Sequence, residues 1–168
     1  MIKTKRLELV NFDLKYSEDL YELWSDFEVI KYTNMPVLDS IDKCREKIKV
    51  FIDHTEDEFV NNFIILLDNK AVGIIGALCI NKEDKVFGLY YQLARKYWGK
   101  GYISEAIMEF KKHMAEKCPE AIYMAEVVLD NTLSVELLKK FGLKQIEIKE
   151  KAFVRNNFQL DIAEFSSK

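Results

Sequence analysis

Proline and glycine are scarce in this chain, two and six among 168 residues. That scarcity excludes collagen-like and proline-rich architectures and leaves few places for a flexible linker. Cysteine is also rare: Cys44, Cys79 and Cys118 are odd in number and far apart. They form neither a disulfide framework nor a metal-ligand pair, so no metal is expected and the thiols read as buried or incidental. The two histidines, His54 and His113, fall near predicted helix ends, where solvent or capping roles suit them. No apolar run approaches the roughly 18 residues that span a bilayer. The opening MIKTKRLELV lacks the long apolar segment of a secretion signal, so the reading is a cytoplasmic protein without a membrane partner. Charge of one sign is missing too. Lys and Arg total 25 against 28 Asp and Glu, well mixed, with a net charge of -3, and no general nucleic-acid footprint results.

Apolar residues, by contrast, make up 49% of the chain, enough for a sizeable core in one domain over residues 1–168. Residues 6–11 alternate as a strand, and 17–26 place Leu20, Leu23 and Trp24 on one helical face. Asp39 and Asp42 suggest a capping arrangement for a second helix carrying Ile41, Cys44, Ile48, Phe51 and Ile52. The period then shortens: 63–67, 71–80 and 86–93 read as an antiparallel meander, with Gly88 marking a bulge. After it, Ile103, Ala106, Ile107, Phe110 and Met114 form a helical stripe. A strand at 121–129 follows, then a helix through Ser134, Leu137, Leu138 and Phe141 that Gly142 ends as a left-handed cap. Strand-like segments near 143–149 and 157–165 close the chain. The expected fold is α+β: a mixed, mainly antiparallel sheet of six to seven strands with helices on both faces.

The stretch RKYWGKGYIS at 95–104 joins a strand to a helix start, where the first amides lack partners and the helix dipole is positive. Gly99 and Gly101 allow close approach, while Arg95, Lys96 and Lys100 add positive charge. The pattern alone serves equally as a simple turn or as a site for phosphate or pyrophosphate. It is not a P-loop, because Gly101 rather than Ser or Thr follows Lys100. A dinucleotide fingerprint is excluded by the missing third glycine and the antiparallel strands upstream.

With its flanks, this loop resembles the acetyl-coenzyme A site of the GNAT superfamily of N-acetyltransferases, through the frame Trp98, Gly99, Lys100, Gly101, Tyr102, Ile103. Tryptophan at the first position is similar to the branch of ribosomal-protein N-terminal acetyltransferases, and Ile103 departs from the small residue usual there. The opening TKRLELVNFDLKYSEDLYELWSDFEVIKYT and the later VVLDNTLSVELLKKFGLKQ resemble the same branch, so the likeness covers nearly the whole chain.

The resemblance implies direct acetyl transfer from acetyl-CoA, as cosubstrate, to a primary amine, with no metal. It implies that the pantetheine arm lies between two parting strands against the backbone of Gln92, Leu93 and Ala94, with an amide near Leu93 as oxyanion donor. The loop amides from Gly99 to Ile103 would take the pyrophosphate. Asn131 matches a residue contacting the cofactor arm, and it also suits a helix N-cap. Ser134 lies on the apolar stripe of its helix and matches a proposed proton donor to the thiolate; a serine bonded to helix backbone is the alternative. The tyrosine acid common in the family is replaced by Leu138. Glu126, facing the gap, is a candidate acceptor of the amine proton or else a solvated strand residue. Tyr90 and Tyr91 point to opposite faces, so at most one is expected to line the site. The acceptor site falls to SDFEVIKYTNMP and FVRNN, where Phe27, Tyr32, Met35 and Phe153 suggest an apolar wall and Asp26 or Glu28 a cation attractor. The acceptor is a protein N-terminus or a small amine such as a polyamine, amino acid or antibiotic. A coenzyme A-binding module without turnover is the third reading, and the protein is a monomer or a homodimer.

Overall fold

The computed structural model describes residues 1–54 and 60–168. Its frame is one eight-stranded sheet built from β1 (Ile2–Lys3), β2 (Glu8–Val10), β3 (Val60–Leu67), β4 (Lys70–Asn81), β5 (Val86–Leu93), β6 (Ile122–Val128), β7 (Lys144–Arg155) and β8 (Phe158–Ser166). The order across the sheet is β1-β2-β3-β4-β5-β6-β8-β7. Every pairing is antiparallel except β5 with β6, which is parallel. The sheet therefore has one strand more than the sequence suggests. The extra one is β1, two residues long and too short for any alternating pattern to reveal.

Five helices cover both faces. Helices α1 (Ser17–Ser25), α2 (Phe27–Ile30) and α3 (Ile41–Asp53) pack on one side, where Leu20, Trp24, Ile30, Cys44 and Ile48 meet Ile64, Leu66 and Ile74. Helices α4 (Tyr102–Lys117) and α5 (Thr132–Lys140) pack on the other, where Ile107, Phe110 and Leu138 meet Phe63, Ile65, Ile75, Leu89 and Leu93. Alternate residues of the central strands thus feed two separate cores, which is why β3 and β4 read as almost continuous apolar runs. Among the described residues no helix is long and apolar enough to cross a membrane.

Local details depart from expectation at several points. Ser40, not Asp39, caps α3, its hydroxyl accepting the Lys43 N–H at 3.4 Å, while Asp39 pairs with the Lys43 ammonium at 2.8 Å. The bulge lies in β4, between Cys79 and Asn81, while Gly88 opposite keeps regular register with Leu78. A Cβ at Gly88 would meet Ile80 Cδ1, the end of an exposed side chain, at 3.0 Å. Strand β7 continues past residue 149 to Arg155 through a register shift between Lys149 and Phe153. The aromatic-rich segment after α1 contains the short α2, capped by Asp26. His54 ends α3, its Nδ1 2.7 Å from the Val50 carbonyl, but His113 is no helix-end residue. It lies inside α4, edge-on to Phe63 at 5.6 Å.

Candidate active site

The sheet opens at its centre. Strands β5 and β6 pair only through Val86–Ile122, Phe87–Tyr123 and Gly88–Met124, after which β5 runs on to Leu93 and β6 to Val128 without further pairing. Ladder phase determines which backbone groups border the resulting gap. The Ala94 N–H donates to Val72 across the β4–β5 ladder at 2.8 Å. Antiparallel pairs alternate, so Tyr90, Gln92 and Ala94 turn their amides toward β4, whereas Tyr91 and Leu93 turn theirs toward β6. On the facing strand, Leu129 N–H donates to Asp161 and Ser167 N–H to Tyr123, both at 2.9 Å, which commits odd residues to β8. Glu126 and Val128 consequently direct their amides into the gap.

The gap is a cleft of about 270 Å³, and it is reached from both faces of the sheet. Because it passes between strands rather than lying on one surface, Tyr90 and Tyr91 both line it, contrary to the expectation that one would be excluded. Tyr90 bonds Asn62 through its hydroxyl, in space left by Gly76, where a Cβ would meet that hydroxyl at 2.5 Å. Tyr91 lies on the opposite face and its hydroxyl is 2.7 Å from Ser134 Oγ. Burial pushes the Tyr91 phenol up to about 12 despite the opposing effect of the serine hydrogen bond.

The loop after β5 is an anion cradle in conformation. Gly99 and Gly101 hold φ of +71° and +77°, the left-handed region that favours glycine. From Gly99 to Ser104 the backbone amides have no partner among the described residues; the first helical bond is Glu105 N–H to Gly101 at 3.1 Å. A Cβ at Gly99 would meet no protein atom within 4 Å, so that side of the loop is open. Behind it, Arg6 Nη1 donates to the Lys100 carbonyl at 3.1 Å while Arg6 Nε pairs with Glu105 at 2.7 Å. Trp98 Nε1 donates to the Leu93 carbonyl at 2.6 Å, tying the loop to the strand end. The three cations diverge: Arg95 pairs with Asp26 at 3.3 Å and Lys96 with Glu22, leaving Lys100 without a carboxylate partner among the described residues. Ile103 is half-buried against the α4–α5 core, turned away from the open side.

The remaining candidates divide. Leu93 has its amide toward the gap and its carbonyl occupied by Trp98. Gln92 and Ala94 have their amides in the β4 ladder, and the Ala94 carbonyl accepts Tyr97 N–H at 2.9 Å, so they present less backbone to the gap than anticipated. Gln92 acts instead through its side chain, accepting Trp24 Nε1 at 2.9 Å and reaching Met35 Sδ at 3.4 Å. Asn131 caps α5, its side chain accepting Ser134 N–H at 3.4 Å, and also lines the cleft. Ser134 Oγ bonds Tyr91 rather than helix backbone. Glu126 borders the cleft with a mostly exposed carboxylate, held by Lys149 at 2.7 Å, and Lys149 also reaches Glu164 at 2.9 Å. Those two carboxylates hold the Lys149 ammonium well above the usual lysine range. Among the described residues no group of three His, Cys, Asp or Glu side chains converges as a metal site.

Two contributors escape a reading from sequence. The Tyr91–Ser134 contact joins residues 43 positions apart. Arg155, at the end of β7, donates through Nη1 to the carbonyls of Ile30, Thr33 and Met35 at 2.9, 2.6 and 2.9 Å. It thereby fixes the segment whose Tyr32, Thr33 and Met35 line the cleft. Only the alternation of β5 hinted at the first; the second falls in the FVRNN segment assigned to the acceptor side, but nothing local singles out Arg155 within it.

A central pair of parallel strands that separate beside a glycine-bearing helix start offers a slot and an adjoining anion cradle, which together suit an extended, phosphate-bearing ligand. The chain belongs to the acetyltransferase (GNAT) domain family, which residues 6–144 match, and it is an N-acetyltransferase. It is 28% identical over 144 residues to an uncharacterised N-acetyltransferase, p20, of Bacillus licheniformis, covering 84% of this chain and 81% of that one. Its fold is similar to RimL, a ribosomal L7/L12 α-N-protein acetyltransferase in complex with coenzyme A, with a TM-score of 0.87, 17% identity and coverage of 97% and 94% of the two chains. It is also similar to a spermidine N-acetyltransferase from Vibrio cholerae in complex with coenzyme A and spermine, with a TM-score of 0.82, 17% identity and coverage of 96% and 94%.

Proposed function

We propose that this enzyme transfers the acetyl group of acetyl-CoA directly to a primary amine, and that the amine is the N-terminus of a protein or peptide. The observation that carries the reading is the gap between β5 and β6, bordered by unpaired amides and continuous with the open amides of residues 99–104. An extended thioester arm needs backbone partners along its length and its pyrophosphate needs an anion cradle, and the two adjoin here. Coenzyme A in the complexes of RimL and the Vibrio cholerae enzyme supports the same cosubstrate.

The residues divide the chemistry as follows. Lys100 and the amides of Gly99, Gly101, Tyr102 and Ile103 hold the pyrophosphate, with Trp98 keeping the loop against the strand. The Leu93 N–H donates to the oxygen of the attacked carbonyl, stabilising the developing negative charge. As the carbon–sulfur bond breaks, Ser134 gives its proton to the thiolate, while the proton of the attacking amine passes through water to Glu126. Asn131 shapes the start of α5 and so the position of Ser134.

For the acceptor, the described lining offers Tyr32, Thr33, Met35 and Gln92, with Glu126 the single carboxylate. That wall suits one ammonium attached to a neutral chain better than a polyamine carrying several charges; of the two similar folds, RimL is a protein α-N-acetyltransferase and the Vibrio cholerae enzyme a spermidine N-acetyltransferase, so the choice rests on the lining. The test is a thiol-release screen over N-terminal peptides, polyamines, amino acids and aminoglycosides. Turnover on peptides is expected. Turnover confined to polyamines or another small amine overturns the acceptor assignment, and binding of acetyl-CoA without release on any amine identifies a non-catalytic module.

A further inference from the structure

Ser134 and Tyr91 come from opposite walls of the gap, one from the first turn of α5 and the other from the splayed half of β5. Their hydroxyls are 2.7 Å apart, and both residues border the cleft. Two hydroxyls sharing one hydrogen bond have two protons between them, so the direction of the bond decides which proton stays free. A phenol is far more acidic than an aliphatic alcohol, and the alcohol is the better acceptor; Tyr91 is therefore the donor. Ser134 then keeps its own proton unengaged, with its oxygen fixed in place by an acceptor bond rather than by helix backbone.

We infer that Tyr91 is a positioning residue, which holds the Ser134 hydroxyl as a donor aimed into the gap at the sulfur of the departing thiolate. The inference rests on the proposed role of Ser134. Burial keeps the phenol protonated through the working pH range, so the direction of the bond does not reverse when the solution becomes mildly alkaline. One turn along α5, Leu138 is buried and apolar and offers the sulfur no competing donor. During transfer the carbon–sulfur bond breaks, the thiolate sulfur takes the proton from Ser134 Oγ, and Tyr91 donates to the negative charge left on that oxygen. Water returns a proton to Ser134 as Glu126 gives up to solvent the proton it took from the attacking amine, so protons balance over the cycle and the product is a neutral amide.

The experiment combines Tyr91→Phe, Ser134→Ala and the double variant with two readouts. Ser134→Ala is expected to lose about a hundredfold in kcat, the lower end for removal of a general acid. Tyr91→Phe should lose about tenfold in kcat with KM for acetyl-CoA nearly unchanged, because the interaction acts in the transition state. The double variant should be no slower than Ser134→Ala, since Tyr91 works only through Ser134. The second readout needs no turnover: the thiol of enzyme-bound coenzyme A, titrated by thiolate absorbance, should ionise at higher pH in Tyr91→Phe than in the wild type. Multiplicative losses in the double variant, a wild-type rate for Tyr91→Phe beside an impaired Ser134→Ala, or an unmoved thiol titration overturns the role of Tyr91. A wild-type rate for Ser134→Ala overturns the underlying assignment of Ser134 instead.

Discussion

Replacing Arg155 tests how the acceptor side of the cleft is built. One guanidinium nitrogen, carrying two hydrogens, faces three carbonyls of the segment after α1, and the same guanidinium lies 5.4 Å from the Phe27 ring. Two charge-assisted bonds at about 1.5–3 kcal/mol each set an upper bound of about 3–6 kcal/mol. Arg155 is half-buried, so water recovers part of the loss once it is gone, and about 2 kcal/mol is the expected cost of Arg155→Ala. For a chain of this length that lowers Tm by about 4–8 °C. The segment released lines the cleft through Tyr32, Thr33 and Met35, so KM for the amine should rise several-fold while KM for acetyl-CoA stays near the wild-type value. Arg155→Lys, with one compact donor group, should recover part of both effects. Thermal melting and two-substrate kinetics provide the assay. An Arg155→Ala protein melting like the wild type, or losing affinity for both substrates equally, refutes the reasoning.

The loop and the core give further outcomes. Gly99→Ala and Gly142→Ala both place a side chain at positive φ, with no protein atom within 4 Å of the new Cβ, so each should cost about 1–2 kcal/mol of stability. Only Gly99→Ala should also weaken acetyl-CoA binding by calorimetry, because its methyl projects from the open side of the cradle. Trp98→Phe removes the indole bond to the Leu93 carbonyl and should slow turnover more than it destabilises the fold. His113 is held below its usual value of 6.5 by burial and by the nearby Lys117, and its Nε2 is buried without a partner among the described residues. The unfolded chain then binds more protons than the folded one just below pH 6.5, so stability falls as pH falls through that value and levels off once the folded imidazole is also protonated. Denaturant midpoints measured across that range should show the slope, and His113→Leu should flatten it.

The residues differ in how much of this they disclosed in sequence. Helices α1, α3, α4 and α5 showed themselves through apolar periodicity, and the loop at 99–101 through two glycines whose positive φ leaves few alternatives. Gly142 was legible for the same reason. Long-range relations were not. Arg95 and Lys96 read as cations for a phosphate, yet Glu22 of α1 and Asp26 at the start of α2 lie against them, and only tertiary packing determines that. Alternation placed Tyr90 and Tyr91 on opposite faces correctly, but a cleft that passes between strands takes its lining from both faces, so neither misses it. The parting of β5 from β6 leaves no local mark, and it also decides why Leu93 turns its amide to the gap while Gln92 does not.

The most direct test of that parting as the acetyl-CoA site is residue-resolved amide hydrogen exchange with and without acetyl-CoA. Gln92 and Ala94, bonded into the β4 ladder, should exchange slowly in both conditions, whereas Tyr91 and Leu93 should become slow only when acetyl-CoA is present. Unchanged exchange at Tyr91 and Leu93 under saturating acetyl-CoA would contradict the account.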